Sequence, residues 1–160
     1  MRIVVIADTH GPPMRLPARL IEIVAECDLL IHAGDFCTRE MLSTLQRLAP
    51  VAAVWGNNDE DEIRSRLPER LALKIGSCQV EVIHGHQNRT AMATAQTVAK
   101  TMTGPGVVIF GHSHQAWCCP AGDILLLNPG SPTAARFSRR KTYAVLTTSP
   151  DLRADIIDLV

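Results

Sequence analysis

The chain lacks a long apolar run, an excess of charge of either sign, a rich aromatic complement and any cysteine pair at metal-ligand spacing. No stretch approaches the ~20 apolar residues that a membrane-spanning helix requires, so no membrane role is expected. Ile3 to Ala7 is too short for a signal peptide and ends on Asp8 without a small-residue cleavage site; it reads as a buried first strand of a cytoplasmic protein. Lysines plus arginines equal aspartates plus glutamates, 16 against 16, which argues against an extended nucleic-acid surface. The one basic run is Arg136, Arg139, Arg140 and Lys141, a solvated turn or, less simply, a phosphate-guiding patch. Aromatics make up only 4%, leaving few platforms for base stacking, and Trp55 and Trp117 read as packing residues. The five cysteines are odd in number and form no C-x-x-C pair, so neither a disulfide framework nor a zinc finger is expected. Cys27, Cys78 and Cys118 read as buried thiols.

What is present is an alternation. Short β-branched runs lie at Arg2 to Ala7, Asp28 to His32, Val51 to Trp55, Val80 to Ile83 and Val107 to Phe110. Several are apolar at consecutive positions, as strands covered on both faces are. Between them, Leu16, Leu20, Ile23 and Val24 repeat at helical spacing, as do Met41, Leu42, Leu45 and Leu48 after the candidate N-cap Thr38. Asn88 is a candidate cap for a third helix carrying Ala91, Ala95, Val98 and Met102. Beyond Gly111, short runs around Gln115 to Cys118, Ile124 to Leu127, Thr142 to Leu146 and Asp155 to Ile157 suggest an antiparallel meander. The 160 residues are expected to form a single domain of the α/β class, with two sheets sharing one core.

Polar residues gather where the first five runs end. Asp8 and His10 follow the first, Gly34-Asp35 the second, and Gly56-Asn57-Asn58-Asp59 the third. His84-Gly85-His86 follows the fourth, and Gly111-His112-Ser113-His114 the fifth. Singly, each is a turn signal or a helix start. Jointly, five adjacent strands ending in Asp, Asn and His would converge on one rim, where open α/β sheets bind ligands. Carboxylate, imidazole and amide oxygen without thiolate suit Mn²⁺, Fe or Zn²⁺. Gly34, Gly56, Gly85 and Gly111 let tight turns aim the neighbouring side chains.

In their order, Asp8-x-His10, Gly34-Asp35, Gly56-Asn57-x-Asp59, His84-Gly85-His86 and Gly111-His112-x-His114 resemble the calcineurin-like metallophosphoesterase superfamily. The short length and Asn128-Pro129-Gly130-Ser131 resemble its compact YfcE-type phosphodiesterase branch. The resemblance implies a four-layer αββα sandwich with two mixed β-sheets flanked by helices. It implies that Asp8, His10 and His114 hold one divalent metal, that Asn57, His84 and His112 hold a second, and that Asp35 bridges them. The implied cofactors are two divalent ions, Mn²⁺ first, with Fe, Zn²⁺ or Ni²⁺ as alternatives. The implied reaction is attack of a metal-bridging hydroxide on a phosphodiester, with weaker action on monoesters. A nucleotide or dinucleotide polyphosphate hydrolase, or a non-catalytic scaffold like the retromer subunit of this fold, are the alternatives.

The charge balance agrees. Two divalent ions less Asp8, Asp35 and one hydroxide leave a net positive site that attracts an anionic ester. Where many superfamily members carry a histidine after Gly-Asn, this chain has Asn58, which donates a hydrogen bond but cannot act as an acid. A general acid contributes ~10²–10⁴-fold, and His86 is the substitute candidate. His32 reads as a strand-end histidine satisfying a backbone carbonyl, or as a group orienting Asp35. Asp59 reads as a cap of the next helix or an acceptor for a liganding histidine. Expected partners are a small phosphoester or nucleotide-like substrate. The C-terminal strands offer an edge through which copies could pair as a homo-oligomer.

Overall fold

The computed structural model describes residues 1–133 and 140–159. Arg136 and Arg139 of the basic run lie outside these residues, while Arg140 pairs with Asp158. One five-stranded sheet has the order β10-β9-β1-β2-β3, and a second has the order β4-β5-β6-β8-β7. In the first, β1 (Ile3–Ile6), β2 (Leu29–His32) and β3 (Val51–Ala53) run parallel. The hairpin of β9 (Thr142–Thr147) and β10 (Arg153–Asp158) joins β1 antiparallel. In the second, β5 (Cys78–Ile83), β6 (Gly106–Ile109) and β8 (Ile124–Pro129) are parallel. Flanking them are β4 (Arg70–Ile75) and β7 (Ala116–Ala121), both antiparallel.

Strand periodicity explains the layering. In β1, Val4 and Ile6 pack with Leu20, Leu42 and Leu45 of helices α1 (Ala18–Ala25) and α2 (Arg39–Leu48), whereas Ile3 and Val5 face the other sheet. In the second sheet, Val80, Val82 and Ile109 point into that inter-sheet core, while Val108, Phe110 and Leu126 pack under α4 (Ala91–Ala99). Three apolar interfaces between four layers make the αββα sandwich, and strands buried on both faces account for the unbroken apolar runs. No helix among the described residues is long and apolar enough to cross a membrane.

Local expectations fare unevenly. Thr38 caps α2, its hydroxyl accepting from Met41 N. Thr90, not Asn88, caps α4 by the same device, and Met102 falls beyond that helix. A helix also forms over α3 (Asp61–Arg66). The expected single meander is two hairpins in different sheets, because β8 pairs parallel with β6 and β9 returns to β1. The runs that end in polar residues are likewise divided, three in the first sheet and two in the second. The rims of both sheets therefore converge, rather than one rim of a single sheet. Strand β4 has no counterpart among the expected strands, since its alternating half-exposed pattern on an edge lacks a continuous apolar run. Cys27 and Cys78 are buried, but Cys118 is exposed on the edge strand β7.

Candidate metal centre

All the side chains in question lie just beyond strand ends, in turns that leave the extended conformation at once. Among the described non-glycine residues, positive φ occurs at Asp8, His10, Asp35, Cys37, His112 and His114. Such conformations cost ~1–3 kcal/mol each and persist only where surrounding structure enforces them. Five of the six are predicted ligands, and Cys37 touches His10. Here the enforcement is visible. Both carboxylate oxygens of Asp8 accept from the His112 N–H at 3.2 and 3.0 Å, and the Asp8 carbonyl accepts from Ser131 Oγ at 2.7 Å. Gly34 and Gly56 permit the approach of the turns: a Cβ at Gly34 (φ +89°) would sit 2.8 Å from His84 Nδ1, and one at Gly56 would overlap the Asp35 carboxylate.

Two groups of donor atoms result. Asp8, His10 and His114 form one, each offering an atom within 4.8 Å of the others. His10 Nε2 lies 3.1 Å from His114 Nε2, and His114 Nε2 is 3.5 Å from Asp8 Oδ1. Asp8, Asp35 and His84 form the other group by the same measure. Asn57 Oδ1 joins it, 3.1 Å from His84 Nε2. Asp35 Oδ2 stands between the groups, 3.6 Å from His10 Nε2 and 3.3 Å from His84 Nε2. His112 is adjacent rather than inside: its ring centroid is 5.2 Å from that of His84.

The donor chemistry fits a divalent cation. His84 Nδ1–H donates to the Ala33 carbonyl at 2.8 Å, which leaves Nε2 facing Asn57 Oδ1 and the Asp35 carboxylate. Lone pairs converging on one point need a proton or a cation between them. Burial lowers the pKa of His84, but the hydrogen bond to Asp35 and the charges of Asp8 and Asp35 outweigh it and raise it. Asp8 shows the complementary deficit. Burial, the largest influence, pushes its carboxyl up to about 8, even with His84 and the His112 N–H drawing it down. Burial also lifts Asp35, but His84 and two hydrogen bonds from Asn58 overcome it and hold that carboxyl well below the carboxylate range.

The remaining predicted residues divide. Asn58 does not point at an open phosphate position: its N–H and amide Nδ2–H both donate to Asp35, at 2.8 and 2.7 Å. His86 stands beside the second group, its ring centroid 5.5 Å from that of His84 and 5.2 Å from that of Trp55. Its Nε2 is 3.8 Å from Glu69, and its Nδ1 is buried with no hydrogen-bond partner among the described residues. Burial and then the neighbouring His84 charge lower its pKa. His32 serves a backbone N–H, not a carbonyl: Nδ1 accepts from Gly34 N, so Nε2–H donates to Thr9 Oγ1, and the ring stacks on Phe36.

For several supporting groups the partners were not legible in the sequence, although Asn128-Pro129-Gly130 reads there as a turn with a secondary part in shaping the cleft. Asp59 neither caps α3 nor meets a histidine; it accepts from Gly56, Asp35 and Cys37 backbone N–H groups at 2.7, 3.1 and 2.7 Å and ties two ligand turns together. Asn128, fully buried, donates to the Gly111 carbonyl and accepts from Gly130 N, so it is both turn and brace. Cys37 Sγ lies 3.1 Å from His10 Nδ1, and a proton on Nδ1 turns the Nε2 lone pair towards His114 and the Asp35 carboxylate. Trp55 packs against the first core and under Arg64, as expected. Trp117 does not pack: it is 50% exposed.

The chain is similar to known phosphoesterases. The family model of the calcineurin-like phosphoesterase superfamily domain matches residues 1–151. A probable metallophosphoesterase of Methanocaldococcus jannaschii is 37% identical over 163 residues, covering 99% of this chain and 82% of that protein. A phosphodiesterase of the same organism is 27% identical over 149 residues, 81% of this chain and 83% of that one. Among solved structures, wild-type Vps29 of Entamoeba histolytica complexed with zinc superposes with a TM-score of 0.72 at 24% identity, covering 99% of each chain.

Proposed function

Since the chain belongs to the calcineurin-like phosphoesterase superfamily, we propose that it is a two-metal phosphodiesterase with weaker action on monoesters. The observation that carries this reading is the position of Asp35 Oδ2 between His10 Nε2 and His84 Nε2, within reach of both donor groups. Asp8, His10 and His114 would hold one ion, Asn57, His84 and His112 the other, with Asp35 shared. Mn²⁺ suits this oxygen-and-imidazole set, as do Fe, Zn²⁺ and Ni²⁺. When bound, the ions supply the positive charge that draws phosphate oxygens and make hydroxide available near neutral pH.

The chain's own residues do the rest. Asp59 and Asn58 fix the turn and carboxylate of Asp35, so the shared donor is set before substrate arrives. The His112 N–H and Ser131 fix Asp8 in the same way. His86 is assigned to the leaving-group side. Its ring lies beside the second donor group, 5.5 Å from that of His84 between centroids. Burial and the neighbouring His84 charge favour its neutral ring, which suits it to a hydrogen bond more than to donation of a full proton. With Asn58 engaged on Asp35, good leaving groups are expected to react best.

A screen of metals against bis(p-nitrophenyl) phosphate, p-nitrophenyl phosphate and nucleotides tests the reading. Hydrolysis of the diester with Mn²⁺, faster than of the monoester and abolished by chelation, is expected. Metal-independent turnover, or none with any divalent ion, would refute it.

A further inference from the structure

A groove of about 610 Å³ opens on the second-sheet side of the site, lined by Phe110, Met92, Trp117, Gln115 and Ser113 and bounded by His112. Its volume is that of a small-molecule pocket. The described residues lining it carry no ordinary charge: threonine, alanine, methionine, phenylalanine, serine, glutamine and tryptophan accompany the histidine. Trp117 is the feature that demands explanation. Exposed large hydrophobics among the described residues are Met1, Met14 and Trp117, and of these only Trp117 lines this groove. The indole is also held, its Nε1–H donating to Cys119 Sγ at 2.9 Å on the same edge strand. A held indole, half open to solvent, shares this lining with a thioether and with a candidate metal-site residue.

We propose that this groove seats the flat organic group of a phosphodiester, a nucleobase or an aryl ring, with Trp117 and Met92 as specificity-determining contacts. The inference rests on the phosphoesterase reading and deepens it. His112 belongs both to the groove and to the expected ligand set, so the groove adjoins the place where the phosphate would be held and is open to its ester substituent. Among the described residues the lining holds no lysine or arginine, which disfavours a polyphosphate chain there, since nothing would neutralise it. An aromatic substituent covers the indole face and the apolar floor together.

Calorimetric titration of the Mn²⁺-loaded protein with the non-hydrolysable phosphonate analogue of thymidine monophosphate, phenylphosphonate, methylphosphonate and inorganic phosphate reads the groove without turnover. The two aromatic ligands are expected to bind about tenfold or more tighter than methylphosphonate, in line with stacking on an aromatic side chain. Trp117→Ala and Met92→Ala should each erase that preference while leaving inorganic phosphate affinity unchanged, and Trp117→Phe should keep most of it. Preference for the nucleotide alone identifies a nucleoside occupant, and equal preference for both identifies any aryl ester. Equal affinities in the wild type, or a preference surviving both substitutions, would overturn the proposal. So would a wild-type dimer that Trp117→Ala dissociates, which would assign the face to a second copy of the chain. If diester hydrolysis fails while the preference stands, the reaction is wrong and the groove right. Hydrolysis without the preference leaves the reaction right and the groove wrong.

Discussion

The two halves of the candidate centre differ in closure. Around Asp8, His10 and His114 the donor atoms are already gathered, mostly buried, and backed by Cys37, Ser131 and the His112 N–H. On the other side, His84 is fully buried and locked to the Ala33 carbonyl, but Asn57 is exposed and His112 is half-open at the groove mouth. Among the proposed ligands, one half is therefore closed, and the other adds the exposed Asn57 and the half-open His112 to its buried donors. Preorganisation raises affinity by lowering the ordering cost, so the closed half should hold its ion more tightly, and substrate should enter over the open half.

Asp35→Asn should have the largest effect, because it removes the charge that stands between the two halves. Loss of several kcal/mol of transition-state stabilisation corresponds to roughly 10³-fold or more in kcat/KM. Metal titration should show both affinities weakened; turnover like the wild type's would mean that the halves do not share this carboxylate. Next, Asn57→Ala should weaken only the looser of two ions, by about 10–100-fold if it behaves like other groups that hold or orient a ligand. Isothermal titration reads this, and equal weakening of both ions would erase the contrast between the halves.

pH should discriminate the halves as well. The Asp8 carboxyl is raised to about 8 by burial. Between about pH 4 and that value the unfolded chain has released a proton that the ion-free fold retains, so this group's contribution to stability falls as pH rises. A divalent ion must displace that proton, so its affinity should climb across the same window, by up to about tenfold per pH unit. The thermal shift on adding Mn²⁺ should then be larger at pH 8 than at pH 5; a shift independent of pH would contradict the placement of Asp8. The smallest effects come from supporting groups. His86→Ala should slow diesters with poor leaving groups more than those with good ones, by at most about 10²-fold, and equal slowing would remove it from the leaving-group side.

How much of this was legible in the sequence depends on the kind of interaction. Unbroken apolar runs in β1, β2 and β6 and the stripe in α2 follow from burial on two faces or one, so periodicity exposes them. Asp and His residues placed where those runs end make the convergence of donor groups readable without the fold. Two things are hidden. Edge strand β4 is half-exposed, and its register comes from pairing with β5 rather than from its own sequence. Asp59, Cys37 and Asn128 act through hydrogen bonds between turns far apart in sequence, and short-range patterning carries no record of such partners. Trp117 belongs with them: an aromatic in a strand reads as core until the sheet order places that strand on the rim.

Anomalous diffraction from crystals grown with Mn²⁺ is the most direct measurement of the central claim. Two ions are expected, one among Asp8, His10 and His114, the other among Asn57, His84 and His112, with the Asp35 carboxylate touching both. A single ion, or ions bound elsewhere with these side chains unliganded, would contradict it.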